Sequence, residues 1–268
     1  MNPHLGMFGS TKDIDAVSAA GFDCIEMQVN EIVNLDDDQF KNACDRLNKS
    51  GIVCQVLDNP VPLDKVIADE DFALDYYQDY IKRGAVRAEE MGVKFYIFGN
   101  GRTRSLPVTG EIDKAKQKNL QFIRMLADIT AVHGIKVLLE PLAPRVSNVI
   151  QSLAQALDYA KEVGKSNIGT FLDYRWFVAM NHPLEDIRKY GRYISHVHID
   201  NPTTEFPLRL VPKLKDGHDY SSFFNALEEI DYKGIISIEA NTFTDYQQDL
   251  HDCLALFSEF GIRPARKS

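Results

Sequence analysis

No apolar run in this sequence approaches the roughly 20 residues that a membrane-spanning helix needs, so a place in a membrane is not expected. Cysteine is scarce. Cys24, Cys44, Cys54 and Cys253 show no CxxC spacing and read as buried or incidental thiols in a reducing compartment. An excess of basic charge is also missing. Thirty Lys and Arg face 39 Asp and Glu, a net charge of −9, which argues against a nucleic-acid backbone as the main partner. The opening MNPHLGMFGS lacks the basic start and long apolar core of a signal peptide, so the cytoplasm is the expected location. The first apolar run is followed by FGSTKD, which is no GxGxxG phosphate loop.

What is present is a regular alternation. Apolar runs at 4–9, 22–28, 52–58, 93–99, 135–140, 168–173, 194–200 and 235–240 read as eight strands. Helical candidates lie between them: Thr11–Ala20 with Thr11 as N-cap, Asp36–Ser50, Asp69–Met91, Glu111–His133, Ser152–Val163, Leu184–Tyr190, Ser221–Ile230 and Asp245–Phe260. Most of them end just before a glycine, the expected left-handed stop ahead of a strand. Eight strand–helix units with no composition break predict a single-domain (β/α)8 TIM barrel over residues 1–268, a closed parallel sheet. A doubly wound open sheet is the rival, weakened by the missing phosphate loop. The stretches 59–69 and 201–219 are expected as loops at the catalytic mouth.

Four of the runs end on a hard ligand: Glu140 in IKVLLEP, Asp173 in IGTFLDY, His198 in YISHVHID and Glu239 in GIISIEA. Barrel enzymes carry their chemistry at the C-terminal strand ends, and neighbouring strands lie about 4.8 Å apart, so these groups can converge. Three carboxylates and one imidazole suit a hard or borderline divalent ion: Mn²⁺, Mg²⁺, Co²⁺ or Zn²⁺. A single strand-end acid is more often a cap or surface group, and a lone strand histidine a satisfied core residue. The repetition at one relative position carries the expectation. In SHVHID the residues His196, His198 and Asp200 share one face, which places His196 one step deeper in the barrel.

The segments GFDCIEM, LLEPL, HVHIDNP, DGHDYSSFFNALEEIDYKG and ISIEA, with the strand ending at Asp173, resemble the sugar isomerase/epimerase group with a xylose-isomerase-like barrel. That group includes ketose 3-epimerases, inosose isomerases and dehydratases, and hydroxypyruvate isomerases. The resemblance implies that Glu140, Asp173, His198 and Glu239 bind one divalent metal, with Mn²⁺ first. It also implies that Glu140 and Glu239 flank a carbohydrate or polyol substrate as the catalytic acid and base. A proton next to a carbonyl is weakly acidic; one carboxylate can remove it and the other return one, by way of an enediolate. The outcome is an isomerase or epimerase. The alternative is a lyase or dehydratase on a keto-sugar, keto-glycoside, inosose or dehydroshikimate-like substrate, using the same site. An endonuclease and a non-catalytic scaffold barrel are the remaining readings. The net charge and misplaced histidines oppose the first, and the intact ligand set opposes the second. A homo-oligomer is left open.

The chain departs from the group's pattern. Trp176 stands where members often carry a His, Val146 where many epimerases carry a Glu, and Thr204 where some carry an Arg. Arg209 is a candidate to fill the space of that Arg, and Trp176 offers a flat surface for a sugar ring or aglycone. Glu26 is a candidate to orient substrate or a neighbouring group, and His196 to bind substrate. Arg102, or Arg104 beside it, could meet an anionic or hydroxyl-rich group. Phe8 is a candidate apolar wall. For Glu26 a structural place at the barrel mouth is the competing reading, and for Phe8 core packing is. Loop arginines usually do nothing specific. His218 is expected to cap or pack.

Overall fold

A computed structural model describes residues 1–265. Eight strands form one closed parallel barrel in chain order, the TIM barrel that the alternation predicts. They are β1 (His4–Phe8), β2 (Cys24–Gln28), β3 (Val53–Asp58), β4 (Phe95–Phe98), β5 (Lys136–Leu139), β6 (Ile168–Asp173), β7 (Ile194–Ile199) and β8 (Ile235–Ile238). Each observed strand lies within its expected run. The helices are α1 (Ile14–Ala20), α2 (Val29–Asn34), α3 (Asp37–Ser50), α4 (Leu74–Met91), α5 (Gly101–Arg104), α6 (Ile112–Ala131), α7 (Leu153–Val163), α8 (Tyr174–Ala179), α9 (Leu184–Tyr190), α10 (Ser221–Glu229) and α11 (Tyr246–Glu259). The last residues of the expected 1–268 domain, 266–268, lie outside the described residues.

Two compact units can be distinguished. One comprises Met1–Glu26, Ala43–Val53 and the chain from Phe171 onward; the other comprises Met27–Asn42 and Cys54–Thr170. In the first unit, β1 pairs with both β2 and β8, and β7 pairs with β8, His198 opposite Ser237. Its core includes an aromatic group on α10 and its surroundings: Phe223 packs on Tyr174 at 4.1 Å between ring centres, and Phe224 packs on Phe257 at 5.3 Å. In the second unit, β3–β4–β5–β6 pair in register through Val56, Phe95, Lys136 and their followers. Phe98 there packs on Phe122 of α6 at 5.8 Å. Buried Leu138, Leu139, Ile97 and Tyr96 show why these strands read as continuous apolar runs: both faces are covered.

Local chemistry explains the ends. Ser152 caps α7 by accepting from the Gln155 amide, and Asp245 caps α11 by accepting from Gln248. Gly92 closes α4 at φ 83°, a conformation that costs a residue with a Cβ. Three expectations need correction. The cap at the first helix is Ser10, not Thr11. Ser10 and Asp13 form a capping box on a 3₁₀ turn, Thr11–Asp13, that precedes α1. The helix expected from Asp69 begins at Leu74, because Asp69 to Ala73 are used in turns that return Phe72 to the Asp69 carbonyl. A short helical turn, α5, also occurs where a loop was expected after β4, and α2 and α8 are further short helices outside the expected set. The FGNGRTR loop is one turn of helix capped by Asn100. No helix among the described residues is long and apolar enough to cross a membrane.

Candidate active site

The period of two along β7 sends His196 and His198 to the same side, as the sequence reading expects, and both are fully buried. Glu26 meets both. Its Oε2 lies 3.0 Å from His196 Nε2, and its Oε1 lies 2.9 Å from His198 Nε2. Glu26 does not end its strand; Met27 and Gln28 follow it in β2, so it stands deep, at 1% exposure. Burial alone would raise its pKa, but the two imidazoles hold the carboxyl far below the usual carboxylate range. The other nitrogen of His198, Nδ1, faces Glu239 Oε2 at 3.1 Å. Burial lowers the His198 pKa, yet Glu26 and Glu239 together raise it well above the ordinary value.

Glu239 follows the last residue of β8, and its amide donates to the Ile199 carbonyl at 3.0 Å. Arg209 arrives from the loop after β7. Its guanidinium lies 2.9 Å from Glu239 Oε2, 3.3 Å from Asp173 Oδ2 and 3.4 Å from Asp200 Oδ2. Arg209 thus enters the carboxylate group that the sequence reading assigned to metal. Burial raises the Asp173 pKa, with Arg209 opposing the rise. Glu239 is held below its ordinary value, because Arg209 and His198 outweigh its burial. Asp200 is pushed up to about 8 by burial, against the pull of Arg209.

Asp173 doubles as the N-cap of α8, its Oδ1 accepting from the Trp176 amide at 3.1 Å. That cap swings Arg175 and Trp176 into the interior. Trp176 is 2% exposed, with the Arg209 guanidinium 5.4 Å from its ring centre and Phe206 at the same ring distance. Arg175 is equally buried. It donates to Asp200 Oδ2 at 2.6 Å, to the Thr204 carbonyl at 2.6 Å and to the Asn201 carbonyl at 2.7 Å. Thr204 therefore holds the loop rather than replacing a missing arginine. His218 packs as expected, its Nε2 lying 2.7 Å from the Tyr174 hydroxyl.

In the second unit, Glu140 follows β5 directly and is buried. Arg104, on α5, donates to the Phe98 and Glu140 carbonyls and so ties the ends of β4 and β5. Its burial lowers its pKa to about 10, opposed by Glu140. Arg102, its neighbour, is exposed; of the two loop arginines, it is Arg104 that is buried beside Glu140. Gly99 leaves the space that the Glu140 side chain needs. A Cβ added there would overlap a Glu140 carboxylate oxygen and come 3.4 Å from Asp58 Oδ1. Phe8 is half-buried at the end of β1.

Within the first unit, Glu26, His196 and His198 each offer a ligand atom, and these atoms lie within 4.8 Å of one another. The donor set fits a divalent ion. A His198 nitrogen and a Glu239 oxygen at 3.1 Å need either a proton or a cation between them. Four residues escaped the sequence reading: in the first unit Arg175 and Asp200, the latter as a partner of two arginines, and in the second unit Asp58 and Gly99 beside Glu140. Arg175 in the otherwise apolar YRWFVA was a visible signal, since a charged side chain amid a buried helix needs partners.

Comparison with known proteins places the chain. The pattern of the xylose isomerase-like TIM barrel family matches residues 14–255. The chain is 23% identical to D-psicose 3-epimerase of Enterocloster bolteae over 235 residues, 85% of this chain and 75% of that one. It is 27% identical to inosose isomerase of Bacillus subtilis over 156 residues, 56% of this chain and 54% of that one. Among solved structures it resembles 3-keto-D-glucoside 4-epimerase from E. coli, with a TM-score of 0.79 at 18% identity, covering 96% of this chain and 99% of that one. It also resembles D-allulose 3-epimerase from Methylomonas sp. in complex with D-allulose, with a TM-score of 0.77 at 19% identity and 96% of each chain covered. With barrel, buried donor groups and a match across most of its length in agreement, the chain belongs to the xylose isomerase-like TIM barrel family.

Proposed function

We propose that this protein is a divalent-metal-dependent isomerase or epimerase of a sugar, keto-sugar or cyclitol, and that one barrel domain spans the chain. The observation that carries the reading is buried His198, held between Glu26 Oε1 at 2.9 Å from its Nε2 and Glu239 Oε2 at 3.1 Å from its Nδ1. Glu140, Asp173, His198 and Glu239 would hold the ion, with Mn²⁺ the first choice for a set of three carboxylates and one imidazole. When bound, the ion supplies positive charge that favours a developing anion on adjacent substrate oxygens. The proton work falls to the chain. Glu239 is held ionised by Arg209 and His198, which suits it to accept a proton from carbon. Glu140 is the partner that returns or removes a proton. His198 is set by Glu26 and does not need to move.

The relatives' names support the class. D-psicose 3-epimerase is by name an epimerase, and inosose isomerase an isomerase. The test is incubation of Mn²⁺-supplemented protein with ketohexoses, ketopentoses, inososes and 3-keto-glycosides in deuterated water. The expected product is an isomer carrying deuterium at the inverted or newly protonated carbon. An ultraviolet-absorbing enone or enol would instead assign elimination, and no conversion of any of these compounds would contradict the class.

A further inference from the structure

Glu26 is the one carboxylate in this neighbourhood whose two oxygens each meet a different imidazole. An ionised carboxylate can only accept hydrogen bonds, so both rings must present N–H at Nε2. One side chain thereby fixes two tautomers. For His198 this leaves Nδ1 as the nitrogen that faces Glu239 at 3.1 Å. For His196 it leaves Nδ1 buried, with no hydrogen-bond partner among the described residues. The two rings pack edge to face at 4.9 Å, and Phe171 packs on His198 at the same distance. Packing therefore sets the ring planes, and Glu26 sets which nitrogen points where. His196 in turn engages the second Glu26 oxygen and keeps the carboxylate from rotating.

We propose that Glu26 is a positioning residue that holds His196 and His198 as Nε2–H donors, so that His198 offers Nδ1 to the metal. This rests on the metal reading above and goes beyond it: Glu26 acts through His198 and makes no contact with substrate. Histidine ligands of metals generally have such a carboxylate behind them, and its loss typically weakens metal binding about 10–100-fold. Here the arrangement is doubled, one carboxylate serving two rings.

Glu26→Gln separates this role from simple filling of space. The amide has nearly the same shape but offers one acceptor and one donor, so it can serve only one ring as before. Two readouts are expected to move. Calorimetric titration with Mn²⁺ gives an affinity about 10–100-fold below wild type. Nitrogen-15 spectra of histidine-labelled, metal-free protein show Nε2 protonated on both rings in the wild type and on only one in Glu26→Gln. If either readout is unchanged in a folded variant, the proposal is overturned. If the variant does not fold, the wild-type spectrum decides: an Nε2 without a proton on His196 or His198 overturns the proposal, and protons on both support it. A wild-type protein that binds no divalent ion would remove the metal reading, while the ring spectra would still report on Glu26.

Discussion

Arg175 donates to Asp200 at 2.6 Å where neither side chain reaches solvent. The same guanidinium holds the carbonyls of Asn201 and Thr204, so one residue of α8 fastens the start of the loop that brings Arg209 to Asp173 and Glu239. Breaking a buried pair by removing one partner leaves an uncompensated charge and costs about 3–5 kcal/mol. Arg175→Met is expected to lower unfolding stability by about that much, read from urea denaturation, and to lower turnover through misplacement of Arg209. Unchanged stability would mean that the loop is held by something else.

Arg209 neutralises carboxylates on three strand ends. Without it, Glu239 loses the charge that most lowers its pKa while its burial remains. In Arg209→Met the acid limb of the pH–rate profile is therefore expected to move to higher pH, since the base must be ionised to act. A limb that stays in place while the rate falls would assign Arg209 to substrate binding alone.

Gly99→Ala places a methyl where the Glu140 carboxylate now lies. The Gly99 backbone does not show the positive φ seen at Gly92, so the fold itself can tolerate alanine. Displacement of a reacting group by about 1 Å can cost roughly 100-fold, so turnover is expected to fall by that order with the melting temperature little changed. Near-normal turnover would remove Glu140 from the chemistry.

His218 gives a pH signature of stability. Burial pulls its pKa below 6.5, against Asp216 and Asp219. The folded state then binds its proton less readily than the unfolded chain. Above the unfolded pKa both forms are neutral and stability is unaffected. As pH falls from about 6.5 to the lower native value, stability is lost. His218→Gln is expected to lose less stability than wild type between pH 7.5 and 5.5, measured by denaturant unfolding. Equal losses would show that His218 is not strained on protonation.

These outcomes also mark what the sequence makes legible. All eight strands could be read because each is a buried apolar run bounded by glycine or a helix pattern; of the four expected ligands, Glu140 and Glu239 stand just past their strands, Asp173 ends β6 and His198 lies one residue before the end of β7. The partners of buried cations could not be read. Arg175 meets Asp200 and Thr204 only after α8 turns inward at its Asp173 cap, and no periodicity encodes that turn. Glu26 was placed at the barrel mouth although the run 22–28 itself continues two residues past it, as β2 does. The helix from Leu74 was overextended because Asp69 to Phe72 look like a capped first turn and instead fold on themselves.

The proposed mechanism assigns proton transfer to Glu140 and Glu239. Its most direct test is turnover of Glu140→Gln and Glu239→Gln on whichever compound the wild type isomerises, at saturating Mn²⁺. Each amide keeps the shape and cannot take a proton, so each rate is expected to fall by about 10²–10⁴-fold while the barrel remains folded. A near-wild-type rate in either variant would contradict the two-carboxylate mechanism.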